Sequence, residues 1–290
     1  MENILEISNL SKGYKEFSLK DISFKLKRGY IMGFIGPNGA GKSTTIKLIM
    51  NLIKKDSGNI KIFGIDNIKN EREIKQKIGF VYDENYFYEN LNLMDMKDII
   101  ASFYKHWDEK IFKKYFSDFD LPKKRKIKEL SKGMKMKYSL ALALSHGAEL
   151  IIMDEPTSGL DPIFRSEMLE ILCSVIQDEN KSIFFSTHIT SDLEKVADYI
   201  TFINKGQIVF SEQKDDVLEN YSIVKGKKEL LDKDTRKEFI SINENAFGFE
   251  ALTNNTKNIK RLFRNDVLIE KANLEDIMVY TVRGGRECLT

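Results

Sequence analysis

Gly36-Pro37-Asn38-Gly39-Ala40-Gly41-Lys42-Ser43 is the stretch on which the fold turns. It follows a continuous apolar run, Ile31-Met32-Gly33-Phe34-Ile35, of the kind that makes a buried central strand, and it opens a helical stretch from Ser43 to Ile53. A strand, a glycine-rich turn and a helix in that order match the phosphate-binding P-loop pattern in full. The glycines let the backbone wrap closely around phosphates with its N–H groups turned inward, and the helix N-terminus adds positive potential. In such a loop Lys42 reaches the β- and γ-phosphates of a nucleoside triphosphate and the Ser43 hydroxyl ligates Mg²⁺; Thr44, next in line, closes the candidate binding stretch. The pattern alone does not choose among kinases, GTPases, helicases and transporters.

Working outward, Ile4 to Ile7 and the alternating stretch Phe17 to Leu26 read as strands ahead of the P-loop, the second half-buried. Behind it, Ile78 to Tyr82, Leu150 to Met153 and Ser182 to Ser186 are buried-strand candidates separated by helical stretches, which predicts an α/β domain with a largely parallel sheet. The region from about Leu93 to Gly147 reads as an inserted helical subdomain, and Ile200–Ile203 with Gln207–Phe210 as a hairpin. Leu150-Ile151-Ile152-Met153-Asp154-Glu155 ends in two acids at the strand end where open α/β sheets bind ligands. Alone, such a pair could be a solvated strand end. Beside a P-loop, Asp154 suits a Mg²⁺ ligand and Glu155 a general base that orients the attacking water.

Composition narrows the class further. With 290 residues, 42% hydrophobic and 31% charged, the chain holds one large folded domain and a smaller appendage. Its 46 basic and 44 acidic residues leave a net charge of +2, which gives no reason to expect nucleic acid as a partner. Cys173 and Cys288 sit far apart with no metal-binding spacing, so neither a disulfide framework nor a zinc site is expected. Met1-Glu2-Asn3-Ile4 is not expected to begin a signal peptide, since no basic stretch precedes an apolar one. The most apolar stretch, Tyr138 to Asp154, is broken by Ser139, Ser145, His146, Gly147 and Glu149, whereas a membrane span needs about 20 apolar residues. His146 precedes Gly147 and reads as a cation at a helix C-terminus, and His106 suggests no role.

Further features occur in a fixed order: Tyr14, Ile78-Gly79-Phe80-Val81-Tyr82-Asp83, Leu130-Ser131-Lys132-Gly133-Met134, Ser158-Gly159-Leu160-Asp161 directly after the acid pair, and Thr187-His188. With the P-loop, these resemble the ATP-binding cassette family over roughly residues 1 to 215. The resemblance implies a P-loop NTPase cassette over 1–214, with N-terminal antiparallel strands and a helical subdomain at about 84–147. After about Asp215 the sequence changes to short mixed segments such as Glu238 to Ile242 and Val267 to Glu270, which predict a small α/β accessory domain over 215–290. The resemblance also implies ATP and Mg²⁺ as ligands and ATP hydrolysis coupled to transport through a separate multi-spanning membrane permease. A second cassette would complete a homo- or heterodimer on the cytoplasmic face of the cell membrane. Tyr14 would stack on adenine, and Ser131 and Gly133 would contact the γ-phosphate held by the second subunit. Asp161 would tie the two sites together, and His188 would hold the γ-phosphate and Glu155. Read without the resemblance, Ser131 is a plain N-cap, Tyr14 a surface aromatic and Asp83 a solvated loop acid.

Two departures stand out. Asp83 replaces the usual glutamine near the metal, and Lys132 and Met134 replace the usual glycine and glutamine of the signature. The following Lys135-Met136-Lys137-Tyr138 lacks the Gln-Arg pairs common in importers, so the chain looks more like the small exporters of antibiotics and peptides, and the segment Asp83-Glu84-Asn85-Tyr86-Phe87-Tyr88 resembles a Gram-positive type near the exporters of phenol-soluble modulins or bacitracin-like peptides. Asp83 is expected still to sense the metal. Tyr86, Phe87, Tyr88, Phe103, Tyr104 and Trp107 fall where the family has a groove for a helix of the membrane subunit, although aromatics at helical spacing are expected to be mostly core. A cassette with a non-transport or regulatory role is the alternative. The short span between Lys42 and Ser131 leaves no room for the long coiled coil of repair ATPases.

Overall fold

The computed structural model describes residues 2–82 and 87–287, which fall into two units, Met1–Ser211 and Glu212–Thr290. In the first unit β1 (Asn3–Gly13) pairs antiparallel with β2 (Ser18–Lys27), whose apolar residues Leu19, Ile22, Phe24 and Leu26 are buried while Lys20, Asp21, Ser23 and Lys25 face solvent. The next elements are β3 (Ile31–Ile35), α1 (Lys42–Ile49), β4 (Ser57–Ile62), the two-residue β5 (Ile65–Asp66), α2 (Glu71–Gln76) and β6 (Ile78–Val81). Strands β2-β1-β4-β5 make one four-stranded antiparallel sheet. β4 went unread in the sequence because Ser57, Gly58 and Asn59 dilute its alternation. It buries only Ile60 and Ile62, and its pairing with β1 makes it a strand.

The helical insert holds α3 (Leu93–Ala101), α4 (Glu109–Asp118) and α5 (Lys132–Leu144). Each begins at a side-chain cap: Asn92 accepts from Met94 N and Asp95 N, Asp108 from Lys110 N and Ile111 N, and Ser131 from Met134 N. After the insert come β7 (Leu150–Asp154), α6 (Pro162–Val175), β8 (Ser182–Thr187), α7 (Thr190–Val196), β9 (Tyr199–Asn204) and β10 (Gln207–Gln213).

The second sheet runs β10-β9-β3-β8-β7-β6, with β6, β7, β8, β3 and β9 parallel. β3, β7 and β8 are buried at every residue, as central parallel strands covered on both faces must be. Between the two sheets, Phe24 lies 5.5 Å from Phe34 and 5.7 Å from Phe184, ring centre to ring centre, in a core that also takes Ile46, Leu48 and Ile49 of α1. Register places the ends of three adjacent strands side by side, with Ile35 opposite Thr187 and Asp154 opposite Ser186.

The second unit contains α8 (Lys214–Asn220), β11 (Ser222–Gly226), β12 (Ser241–Asn245), β13 (Gly248–Thr253), α9 (Thr256–Phe263), β14 (Leu268–Lys271) and α10 (Leu274–Glu287). Its antiparallel sheet runs β12-β13-β11-β14, and Val224, Phe249 and Ala251 pack against Ile259 and Phe263 of α9. The boundary between the units falls inside β10.

Two readings change with the structure. His146 is buried, stacked on Tyr104 with ring centres 3.7 Å apart, and burial pushes it down to about 4, so it is neutral and no helix-terminal cation. The aromatic band is not mostly core: Tyr88 and Phe103 are exposed, while Phe87, Tyr104 and Trp107 are half-buried. Asp83 and Tyr86 lie outside the described residues.

Candidate functional site

The P-loop follows β3, the acid pair closes β7, and His188 follows β8; these three strands are neighbours, so their C-terminal ends converge. The P-loop's glycine-rich turn ends at Gly41, which caps α1 with φ 113 and offers no side-chain acceptor, unlike the caps of α3, α4 and α5. A side chain at Gly41 would be strained by that φ and would strike Leu19 and Phe17. The N-cap thus offers no side chain to the first N–H groups of α1, which suits them to an anionic ligand.

Lys42 is buried and fixed. Its Nζ donates to the Gly36 carbonyl at 2.8 Å and pairs with Glu155 Oε1 at 3.2 Å. The other oxygen, Glu155 Oε2, lies 2.8 Å from His188 Nδ1 and accepts from His188 N at 3.3 Å. A lysine, a carboxylate and an imidazole thus form one chain from the P-loop to the end of β8. Glu155 itself takes φ 49, a left-handed conformation that costs a non-glycine residue energy and here turns the chain sharply after β7. Its N–H donates to the Ser186 carbonyl at 3.1 Å, which holds the turn. Asp154 is buried just before it and accepts from the Ser186 hydroxyl.

The resulting cleft has a volume of about 670 Å³. The P-loop residues Asn38, Gly39, Gly41, Lys42, Ser43 and Thr44 form its floor, Glu155, Ser158 and His188 one wall, and Glu16 and Phe17 the other. Ser43 is exposed at the edge. Tyr14 is next to the cleft but does not line it: its N–H donates to the Phe17 carbonyl at 2.8 Å, its half-exposed ring lies 5.6 Å from Lys12 Nζ, and Phe17 lines the wall. No motif marks Phe17; it lies against Gly41 at the edge of the cleft.

Ser131, Gly133 and Asp161 do not line this cleft. The Ser131 hydroxyl accepts from Met134 N at 3.2 Å as the cap of α5. Gly133 is buried where a Cβ would come within 2.6 Å of the Phe164 ring, so close approach of α5 and α6 demands glycine there. Lys132 reaches toward Gly159, its Nζ 3.5 Å from where a Cβ on that glycine would lie. Asp161 caps α6, accepting from Ile163 N at 3.0 Å and Phe164 N at 3.1 Å.

The fold and the cleft define a P-loop nucleoside triphosphatase of the cassette type. Residues 19–158 match the model of the ABC transporter family. The bacitracin transport ATP-binding protein of Bacillus licheniformis is 37% identical over 214 residues, which span 72% of this chain and 69% of that protein. A lantibiotic transport ATP-binding protein of Streptococcus pyogenes is 36% identical over 217 residues, 73% of this chain and 92% of that one. Among solved structures, an ATP-binding subunit of an ABC transporter superposes with a TM-score of 0.68 at 29% identity, covering 74% of this chain and 92% of its own. The chain belongs to the ATP-binding subunits of ABC transporters, and it is an ATPase. Among the described residues no helix is long and apolar enough to cross a membrane.

Proposed function

We propose that this subunit hydrolyses ATP at the Lys42–Glu155–His188 cleft to drive export of a peptide antibiotic or related peptide through a separate membrane-spanning subunit. The relatives named for bacitracin and lantibiotic transport support the substrate class. The observation that carries the chemistry is the continuous chain from Lys42 Nζ through both oxygens of Glu155 to His188 Nδ1.

A triphosphate lying on the P-loop takes Lys42 as its counter-ion, which frees Glu155 to orient a water against the γ-phosphorus. The water oxygen attacks, the bond to the β,γ-bridging oxygen breaks, and the water proton passes to Glu155. His188 holds the carboxylate and the γ-phosphate oxygens in one geometry. The donor set fits Mg²⁺: the exposed Ser43 hydroxyl and the Asp154 carboxylate, with Asp83 outside the described residues, are hard oxygen ligands. The ion would neutralise charge on the phosphates.

Ser131 and Gly133 stand apart from their own cleft, which supports a dimer in which a second cassette supplies them to the γ-phosphate. Loss of that phosphate then loosens the dimer. A groove of about 600 Å³ between α2 and the end of α3 supports docking of the membrane subunit at the cytoplasmic face. It is lined by Lys69, Glu71, Arg72, Lys75 and the exposed Phe103; Glu71 pairs with Lys75 at 2.5 Å, and Lys69 and Arg72 beside Phe103 match a helix bearing an apolar residue and an acid. Glu155→Gln keeps the side-chain shape but removes the base. We expect turnover to fall about 10²-fold or more while ATP affinity is retained. Near-normal turnover in that variant would remove Glu155 from the chemistry.

A further inference from the structure

Asp192 is completely buried, and the chemistry above uses none of its atoms. It sits on α7, one turn beyond His188. Its Oδ2 accepts from the Thr157 hydroxyl at 2.6 Å and its Oδ1 from Arg165 Nε at 2.6 Å. Thr157 is buried in the segment between Glu155 and Asp161, and Arg165 lies one helical turn after Asp161 on α6. The guanidinium also donates from Nη2 to the Ser191 hydroxyl at 2.7 Å. One buried carboxylate therefore fastens together the three segments that carry Glu155, Asp161 and His188. A charge in that position is costly unless fully paired, and both of its oxygens are engaged.

We propose that Asp192, Thr157 and Arg165 form a positioning clamp that makes the hydrolytic wall of the cleft and the start of α6 move as one body. A change at Glu155 and His188 on hydrolysis is then passed to α6 and the Asp161 cap without slack. Without the clamp the nucleotide still binds to the P-loop, because none of the three residues lines that floor. What is lost is the register between Glu155 and the attacking water, to which rate is steeply sensitive. The inference rests on Glu155 and His188 serving hydrolysis.

Thr157→Val replaces the donating hydroxyl by a methyl of similar size, Thr157→Ser keeps the hydroxyl, and Arg165→Gln breaks the other arm at a partly exposed site. ATP dissociation constant, KM, kcat and melting temperature are measured for each, with Glu155→Gln in the same assay. We expect Thr157→Val and Arg165→Gln to lower kcat about tenfold or more with the dissociation constant unchanged. Thr157→Ser should turn over at the wild-type rate, and the Thr157→Val/Arg165→Gln double variant should be no worse than the weaker single. Wild-type kcat in both Thr157→Val and Arg165→Gln overturns the clamp. So does an equal loss in Thr157→Ser, or a loss of kcat matched by a loss of nucleotide binding. An active Glu155→Gln would instead overturn the hydrolytic reading beneath it.

Discussion

Phe17 and Tyr14 divide what sequence and geometry say about the nucleoside. Tyr14 holds the position that the family pattern marks, yet half its surface faces solvent and Lys12 covers its ring. Phe17 lines the cleft beside Gly41. Stacking of a base on an aromatic ring is worth about 1–3 kcal/mol by alanine substitution. Phe17→Ala should therefore weaken ATP binding about tenfold, and Tyr14→Ala by less. Titration of a fluorescent ATP analogue checks this; the reverse order would return the nucleoside to Tyr14. Lys42, Ser43, Asp154, Glu155 and His188 were legible as candidates because each lies in or beside a motif at a strand end, so the sheet delivers them together. Phe17 and Asp192 were not. Which aromatic of a loop faces the cleft depends on packing against Gly41, and the partners of Asp192 lie on other elements.

At the scale of elements, the segment after α5 shows how a local rule is overridden. A histidine before a glycine at a helix end reads as a cation, but His146 packs under Tyr104 with Nδ1 3.3 Å from the Gln76 carbonyl. Burial lowers its affinity for protons to about 4, below its ordinary value of 6.5. Between those values the unfolded chain binds the proton and the folded chain does not. Stability is thus fully present above pH 6.5 and falls as pH drops toward 4. By pH 5 the loss is roughly 2 kcal/mol. His146→Gln, neutral throughout, should lack that part of the decline when denaturation is compared at pH 7 and pH 5. Equal declines in variant and wild type would mean that His146 titrates normally. The same limit hid β4, whose strand character comes from its pairing with β1 and from only two buried isoleucines. The continuous runs of β3, β7 and β8 needed no such help, because full burial on both faces writes itself into the sequence.

For the whole molecule, the decisive fact is a separation. The cleft gathers the P-loop, Glu155 and His188, while Ser131 and Gly133 at the head of α5 line no part of it. We propose that a site so divided is completed by a second copy or a related cassette, as closed two-fold pairing allows. The most direct measurement is the ATPase rate of an equal mixture of Lys42→Ala and Ser131→Ala subunits. Each variant alone should be nearly inactive. In the mixture, mixed pairs carry one site with Lys42 and Ser131 both intact, so random pairing should restore about a quarter of the wild-type rate. A mixture no faster than either parent would contradict a site shared between two cassettes.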